Sequence, residues 1–508
     1  MSDFDVIIIG YGPTGKIIAR QLSDWGHRVA IVDRWPDTYP LPRAIGYDHE
    51  IKRMFHALGL ADKVAEISRS MERYVWYNAD WKVLFDIDES RESNSGGPSG
   101  YTFSQPDLEK ILQEDLSGRP GLTFFLGEEA RSASAGEDYV EVAIAPSQIA
   151  DTPAKMCRER RIRARYLVGC DGAKSLIRNS MQSQMFDHGF DETWVVIDVH
   201  PYDLSKLRIP DAAQWCNPRR PTTIVPSGVK YRRWEFMLLE GENPEELSRE
   251  ERIWQLLAPW MTPSDGKLIR RATYRFRSLL AQGWRKGRFL LAGDAAHLMP
   301  PFMGQGMCAG MRDVWNLGWK LDRVLKGRSS ERLLDSYEAE RAPHVDSIIR
   351  ISIAMGKVIC MPDENAAQER DEAFFSGRVP SPPSFPGLVA GAIARDAEGR
   401  PVGCAGQLLP HDILERDGAV ARLDDIIGRN FALLTRSSVS ATLTSPLDIK
   451  QIVLGDNGFR DINGRLSNFL DSVGAHAVLA RPDFYAFGSV PQADDVEGLI
   501  RSLEIALN

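Results

Sequence analysis

Cysteine is scarce in this 508-residue chain, with six residues at 157, 170, 216, 308, 360 and 404 and no two of them spaced as Cys-x-x-Cys. That scatter excludes a redox dithiol and a cysteine-built zinc site, so the thiols are expected to be free and buried. Long apolar runs are missing too. Nothing approaches the roughly 18 residues that a membrane-crossing helix needs. Basic excess is lacking: 62 Lys and Arg stand against 70 Asp and Glu, a net charge of −8 that offers no attraction to nucleic acid or an anionic membrane. The N-terminus has neither a basic leader region nor a small-residue cleavage site, and a cytoplasmic protein is expected. No internal repeat or low-complexity tract is visible.

What is present reads as an ordinary globular protein, 43% hydrophobic and 26% charged, long enough for two or three cores. Phe4 to Ile9 is a continuous apolar run of the kind buried on both faces of a parallel sheet. Gly10-Tyr-Gly12-Pro13-Thr14-Gly15 follows, then a helical segment from Lys16 to Trp25, then Val29 to Val32 ending in Asp33 with Arg34 beside it. In such a strand, turn, helix, strand unit the first glycine permits the tight turn. The second admits a pyrophosphate and the third lets helix pack on strand, while Asp33 is placed for a ribose.

Residues 35–44 hold three prolines and form a stiff loop from which Arg43 emerges before a helix of about 48–58. Residues 71–88 alternate as strands, Ser104 or Asp107 caps a helix, and 122–145 alternate as a hairpin. The basic run Arg158 to Arg165 alternates with apolar residues, which puts its charges on one solvated strand face. Tyr166 to Gly169 is a buried strand leading to Cys170-Asp171-Gly172. Residues 181–284 read as an antiparallel second layer with little helix beyond 247–258.

The stretch Arg288 to His297 is again a short buried strand ending in Gly293-Asp294. Pro300-Pro301 stops any helix, and Phe302-Met303-Gly304-Gln305-Gly306-Met307 turns into a long helix from about 309. Backbone amides at such a start face outward with the positive end of the helix dipole and suit an anion or an electron-rich oxygen, while Asp294 suits a polyol hydroxyl. A second long helix is read from Ser329 to about Met355.

These motifs together resemble the single-component FAD-dependent aromatic hydroxylases. The signals are Gly10 to Gly15 with Asp33, Gly169-Cys170-Asp171-Gly172, and Gly293-Asp294 to His297 with Gly304 to Met307. Pro42-Arg43-Ala44, Gln105, Arg312-Asp313-x-x-Asn316 and Tyr337-Glu-x-Glu-Arg341 fit the same family. Within it the chain is similar to the phenol and 3-(3-hydroxyphenyl)propionate hydroxylase branch, whose thioredoxin-like C-terminal domain is matched by Leu479-Ala480-Arg481-Pro482-Asp483.

The resemblance implies an α/β chain in which a Rossmann-type FAD-binding domain (1–75, 101–180 and 285–375) is interleaved with an antiparallel β-sheet substrate domain (76–100 and 181–284). A linker at 376–401, rich in Pro, Gly and Ser, leads to a thioredoxin-like domain at 402–508 that lacks Cys-x-x-Cys. It also implies that Gly10, Gly12, Pro13, Thr14 and Gly15 hold the FAD pyrophosphate, Asp33 and Arg34 the adenosine ribose, and Arg43 and Gln105 the phosphate and ribityl region. Asp171 and Gly172 would serve FAD and NAD(P)H, Asp294 the ribityl chain, and Pro301 with Gly304, Gln305, Gly306 and Met307 the flavin ring. Met303 and Cys308 depart from the small residue and the asparagine common at those places.

The implied reaction uses NAD(P)H and O2 to hydroxylate a phenol ortho or para to its hydroxyl through a flavin C4a-hydroperoxide; an FAD-dependent epoxidase or dehydrogenase of a non-phenolic substrate is the alternative. The protein must orient the ring and help remove the phenolic proton. No motif identifies that base. Asp48 and His49 are the positional candidates, with a helix-capping role as the competing reading. Trp194, Trp215, Tyr231, Trp234, Phe236 and Met303 supply material for the substrate pocket. A homodimer is the expected assembly; no metal is expected.

Overall fold

The computed structural model describes residues 3–39, 43–149, 159–380, 383–440 and 445–508; Pro42, Cys157 and Arg158 lie outside them. Five parallel strands lie in the order Phe289–Leu291, Arg160–Gly169, Phe4–Ile9, Val29–Asp33 and Leu122–Leu126. Val6, Ile7 and Ile8 are fully buried, as the unbroken apolar run requires of a central strand. The turn after it is fixed by two close approaches. Gly10 has φ +107°, and a Cβ there would lie 2.2 Å from the Cys170 carbonyl oxygen; a Cβ on Gly15 would lie 2.0 Å from the Gly10 carbonyl oxygen. Only glycine lets the ends of these two strands and the helix Pro13–Asp24 come this near.

The alternation at 122–145 resolves differently from a simple hairpin. Leu122–Leu126 is a parallel strand of the main sheet, and the hairpin is Glu128–Ala135 with Val140–Pro146, which continues onto Arg160–Gly169 antiparallel. Gly127 at φ +76° separates the two, and alternation alone cannot distinguish a half-covered parallel strand from a hairpin arm. Arg161 and Arg163 both pair with Glu141 on the solvated face. The helix after the glycine turn spans Gly306–Leu325, three residues earlier than its spacing suggested, and the next helix spans Asp335–Ile359 behind a short turn at Glu331–Leu334.

The second layer is an eight-stranded sheet in the order His297–Leu298, Gly266–Gln282, Gln184–Pro201, Tyr231–Met237, Thr222–Ser227, Ala213–Trp215, Arg73–Tyr77 and Val83–Asp88. Its neighbours run antiparallel except Ala213–Trp215 beside Arg73–Tyr77. Side chains alternate across it. Val195, Ile197, Trp234 and Phe236 pack outward with Ile253 and Leu257 of the helix Glu250–Leu257, together with Trp260. Trp194 and Met237 share a cluster with Phe302 on the opposite face.

The last unit carries a four-stranded sheet, Ile449–Val453, Phe431–Thr435, Ala477–Ala480 and Ala486–Val490, with only the first pair parallel. It docks through buried ion pairs. Arg53 Nε and Nη2 each lie 2.7 Å from the Asp424 carboxylate, and Arg481 Nη2 lies 2.7 Å from Glu340 Oε2. The described residues of 376–401, expected as a linker, have no helix and no strand beyond an isolated bridge, yet they are tied down: Ala392 N donates to Glu340 Oε1 at 2.8 Å and Ala394 N to the Phe487 carbonyl at 2.7 Å. Pro and Gly here suit a packed strap rather than a free spacer.

Candidate active site

Where the two large sheets face each other, a cavity of about 1760 Å³ opens. One drug-sized ligand typically occupies about 300–1,000 Å³, so there is room for two molecules side by side. Strand ends and turns supply one half of its wall: Gly12, Pro13, Thr14, Arg43, Asp294 and the run 301–307. A Cβ on Gly12, Gly304 or Gly306 would meet no atom within 4 Å, so these backbones face open space. Asp294 accepts no hydrogen bond among the described residues, and burial raises its carboxyl above the ordinary 3.8. A half-buried, unpartnered carboxyl beside outward-facing amides at a helix start is a donor and acceptor set that fits a polyol chain and a heteroaromatic ring edge.

The other motif residues shape this half. Thr14 stands where the helix Pro13–Asp24, the Gly293 turn and the helix Gly306–Leu325 meet; a Cβ on Gly310 would lie 2.5 Å from its Oγ1 and one on Gly293 2.9 Å. Asp33 accepts from the Tyr11 and Trp35 amides at 2.6 and 2.8 Å, and Arg34 is exposed beyond it. Gln105 Oε1 accepts from the amides of Arg43 and Ala44 at 2.8 and 2.7 Å, which holds the Arg43 loop against the cavity. Asp171 accepts from Ser175 Oγ at 2.6 Å and from the Ile177 amide, so it braces the next helix while Gly172 lines the cavity. Behind Gly293 a buried chain runs from His297 Nε2 to Asp313 (2.7 Å) and on to Arg341 Nε (2.9 Å).

Asp48 and His49 both line the cavity, and both are engaged by neighbouring side chains. Asp48 caps the helix His49–Ala57, accepts from Gln305 Nε2 at 3.0 Å and is ion-paired to Arg312. The Arg312 guanidinium overrides burial and holds its carboxyl below the ordinary 3.8, opposite to a base poised near neutrality. Arg312 also pairs with Glu50 and donates to Gln305 Oε1 at 2.8 Å, so Gln305 is bracketed by an acid and a cation. His49 bonds Ser95 through Nδ1 at 2.9 Å, and burial lowers its pKa. The Cys308 thiol is pushed far up by burial.

The expected aromatic lining is redistributed. Phe236 and Trp234 point away from the cavity, Trp215 stacks on Trp81 at 4.9 Å, and Tyr231 lies against His200. Trp194 sits behind Phe302, with ring centroids 5.8 Å apart, while Met303 does line the cavity. The aromatic wall comes instead from Tyr74, Trp76, Phe85, Tyr274, Phe276 and Phe302. Because charged Arg233 and Glu235 share the inward parity of their strand, they face the cavity while Trp234 and Phe236, which alternate with them, face out. The sequence signal was there in Arg233-Trp-Glu235-Phe, but amphipathic logic assigns the apolar parity inward.

A glycine-cradled cofactor half joined to an aromatic-walled second half defines a flavin-dependent oxidoreductase with its own substrate chamber. Residues 3–352 match the family described as FAD binding domain, and the chain belongs to that family. Within it the chain belongs with the single-component FAD-dependent aromatic hydroxylases. It is 34% identical to a probable NADH-specific resorcinol 4-hydroxylase of Rhodococcus jostii (strain RHA1), over 99% of this chain and 95% of that protein. It is 36% identical to a 3-(3-hydroxy-phenyl)propionate/3-hydroxycinnamic acid hydroxylase of Comamonas testosteroni, over 74% of this chain and 62% of that protein. Among solved structures, aklavinone-11 hydroxylase with FAD and aklavinone shares the fold over 99% of both chains, with a TM-score of 0.81 at 24% identity. The flavin-dependent monooxygenase PieE shares it over 100% of both chains, with a TM-score of 0.82 at 20% identity. No helix among the described residues is long and apolar enough to cross a membrane.

Proposed function

We propose that the chain hydroxylates a small phenol of the resorcinol type at a ring carbon ortho or para to an existing hydroxyl, with NADH as reductant. The observation that carries this reading is the end-to-end match to the R. jostii protein, against the partial cover of the hydroxyphenylpropionate relative. Bound FAD supplies the redox chemistry, taking electrons from NAD(P)H and activating O2. The chain's own residues bind and orient. Gly12, Pro13 and Thr14 with Arg43 hold the pyrophosphate, Asp33 and Arg34 the adenosine ribose, and Asp294 a ribityl hydroxyl. The amides of Gly304 to Met307 hold the electron-rich ring edge, with Arg312 and Asp48 locking Gln305 in place. Tyr74, Trp76, Phe276 and Phe302 keep the ring in an apolar slot and displace water from it. The strand order at 431–490 supports a thioredoxin-like reading of the last domain, and Phe469 and Tyr485 from it reach the cavity wall.

The test is a panel of phenols scored for stimulated oxidation of NADH and of NADPH, with products identified by mass. Resorcinol is expected to stimulate NADH oxidation and to gain one oxygen atom. Stimulation only by carboxylate-bearing phenols, or none by any phenol, would overturn the reading.

A further inference from the structure

Glu235 lies on the strand Tyr231–Met237, opposite Val196 on one neighbour and Thr223 on the other, and it faces the cavity at 6% exposure. No hydrogen-bond donor reaches its carboxyl among the described residues. Among the described residues its ion-pair partner is Arg233 Nη1, at 3.7 Å. Arg233 itself is spoken for: Nε and Nη2 bind Asp198 at 2.7 and 3.0 Å, and Nη1 donates at 2.7 Å to the carbonyl of Arg43, the residue of the cofactor loop. Arg270 Nη1 lies 3.2 Å from the same Asp198, and its Nη2 donates to the Tyr274 hydroxyl. Both arginines and Tyr274 line the cavity.

A buried carboxyl without a donor is costly unless a ligand provides one. A phenolic O–H is such a donor. We propose that Glu235 is the base that takes the phenolic proton of the substrate, with Arg233 and Arg270 facing the phenolate so formed. The inference rests on the phenol-hydroxylating reading above. In the step, the O–H bond breaks and the proton passes to a Glu235 Oε. The electron pair stays on the phenol oxygen, which enriches the ortho and para ring carbons. No other bond changes.

Charge matching favours this assignment. Two guanidiniums face two carboxylates, Asp198 and an ionised Glu235. Once Glu235 is protonated, one positive charge is left over beside the new phenolate. The titratable groups around Glu235 are Arg233 on its own strand, Asp198 on Gln184–Pro201, Arg270 and Tyr274 on Gly266–Gln282, and Tyr74 on Arg73–Tyr77. Burial lifts the Glu235 carboxyl above the ordinary 4.5 against the pull of Arg233, and burial keeps the Tyr74 hydroxyl protonated. A base raised in this way is closer to a phenol's own ionisation than the depressed Asp48.

The experiment compares holoenzyme of wild type, Glu235→Gln and Glu89→Gln, the last altering a second cavity carboxyl that burial also raises. The probes are resorcinol and a polyfluorinated phenol already ionised at neutral pH. In E235Q, kcat/KM for resorcinol is expected to fall by about 10²–10⁴ near pH 7, with FAD content unchanged, and to recover as pH rises toward about 10, where phenols ionise. The fluorinated phenol is expected to be far less affected. Binding followed by the flavin absorbance should show E235Q shifted toward the ionised phenol, because its cluster keeps a net positive charge. E89Q should behave as wild type. An E235Q enzyme with the wild-type pH profile for resorcinol, a loss equal for both probes at every pH, or the signature appearing in E89Q instead would overturn the proposal. If wild type hydroxylates no phenol at all, the functional reading falls and this inference with it.

Discussion

Gly310 offers a sharp test of how the cofactor half is built. It lies in the helix Gly306–Leu325, and an added Cβ would sit 2.5 Å from Thr14 Oγ1 and 3.0 Å from the Gly293 Cα. Alanine gains about 1 kcal/mol over glycine inside a helix, while overpacking a tight contact costs about 1–3 kcal/mol. A 2.5 Å contact belongs at the upper end of that range, so Gly310→Ala is expected to lose about 1–2 kcal/mol in total. Relief requires pushing Thr14 or the Gly293-Asp294 turn, and both line the cavity. The strain should therefore surface as weaker FAD binding, about 5–30-fold, measured by titrating apoprotein with FAD and following flavin fluorescence. Thr14→Ala removes the nearer contact, and the double variant should regain at least half of the loss. If G310A binds FAD like wild type, or if the two substitutions simply add, the three-way contact does not govern the cradle.

Asp294→Ala should purify with little or no FAD while keeping its secondary structure by circular dichroism, whereas loss of folding instead of flavin would contradict the polyol role. Arg312→Met strands the buried carboxylates of Asp48 and Glu50 and should destabilise the chain by about 3–5 kcal/mol in urea denaturation. Glu340 is held down at about 2 by Arg481 and Lys320, against an ordinary 4.5. A depressed carboxyl contributes stability above its unfolded value and loses it as pH falls through the folded one, so docking of the last domain should weaken between about pH 4.5 and 2. Glu340→Gln should flatten that acid limb, read as limited proteolysis against pH. Cys308, with its thiol pushed far up, should resist alkylation in the native holoenzyme and react only after unfolding.

The cofactor half was legible because its requirements are local. Gly10 and Gly15 are demanded by backbone approaches of about 2 Å, and the strand, turn and helix around them follow from short-range spacing. The substrate half was not. Whether Phe236 or Glu235 faces inward depends on which side of the sheet the helix Glu250–Leu257 covers, a tertiary fact that periodicity does not contain. Asp48 was found by position, but its engagement by Arg312, 264 residues away, was not readable from its neighbours. The strap at 376–401 looked like a spacer because Pro and Gly rule out helix and strand without saying whether the segment packs.

The wall of the chamber draws on residues as far apart in sequence as Gly12 and Tyr485. At about 5–20 residues per second, a ribosome needs roughly 25–95 s to travel between them. For that interval the dinucleotide turn can be complete while Phe469 and Tyr485 do not yet exist. The wall of the chamber is therefore complete only after residue 485 has been made.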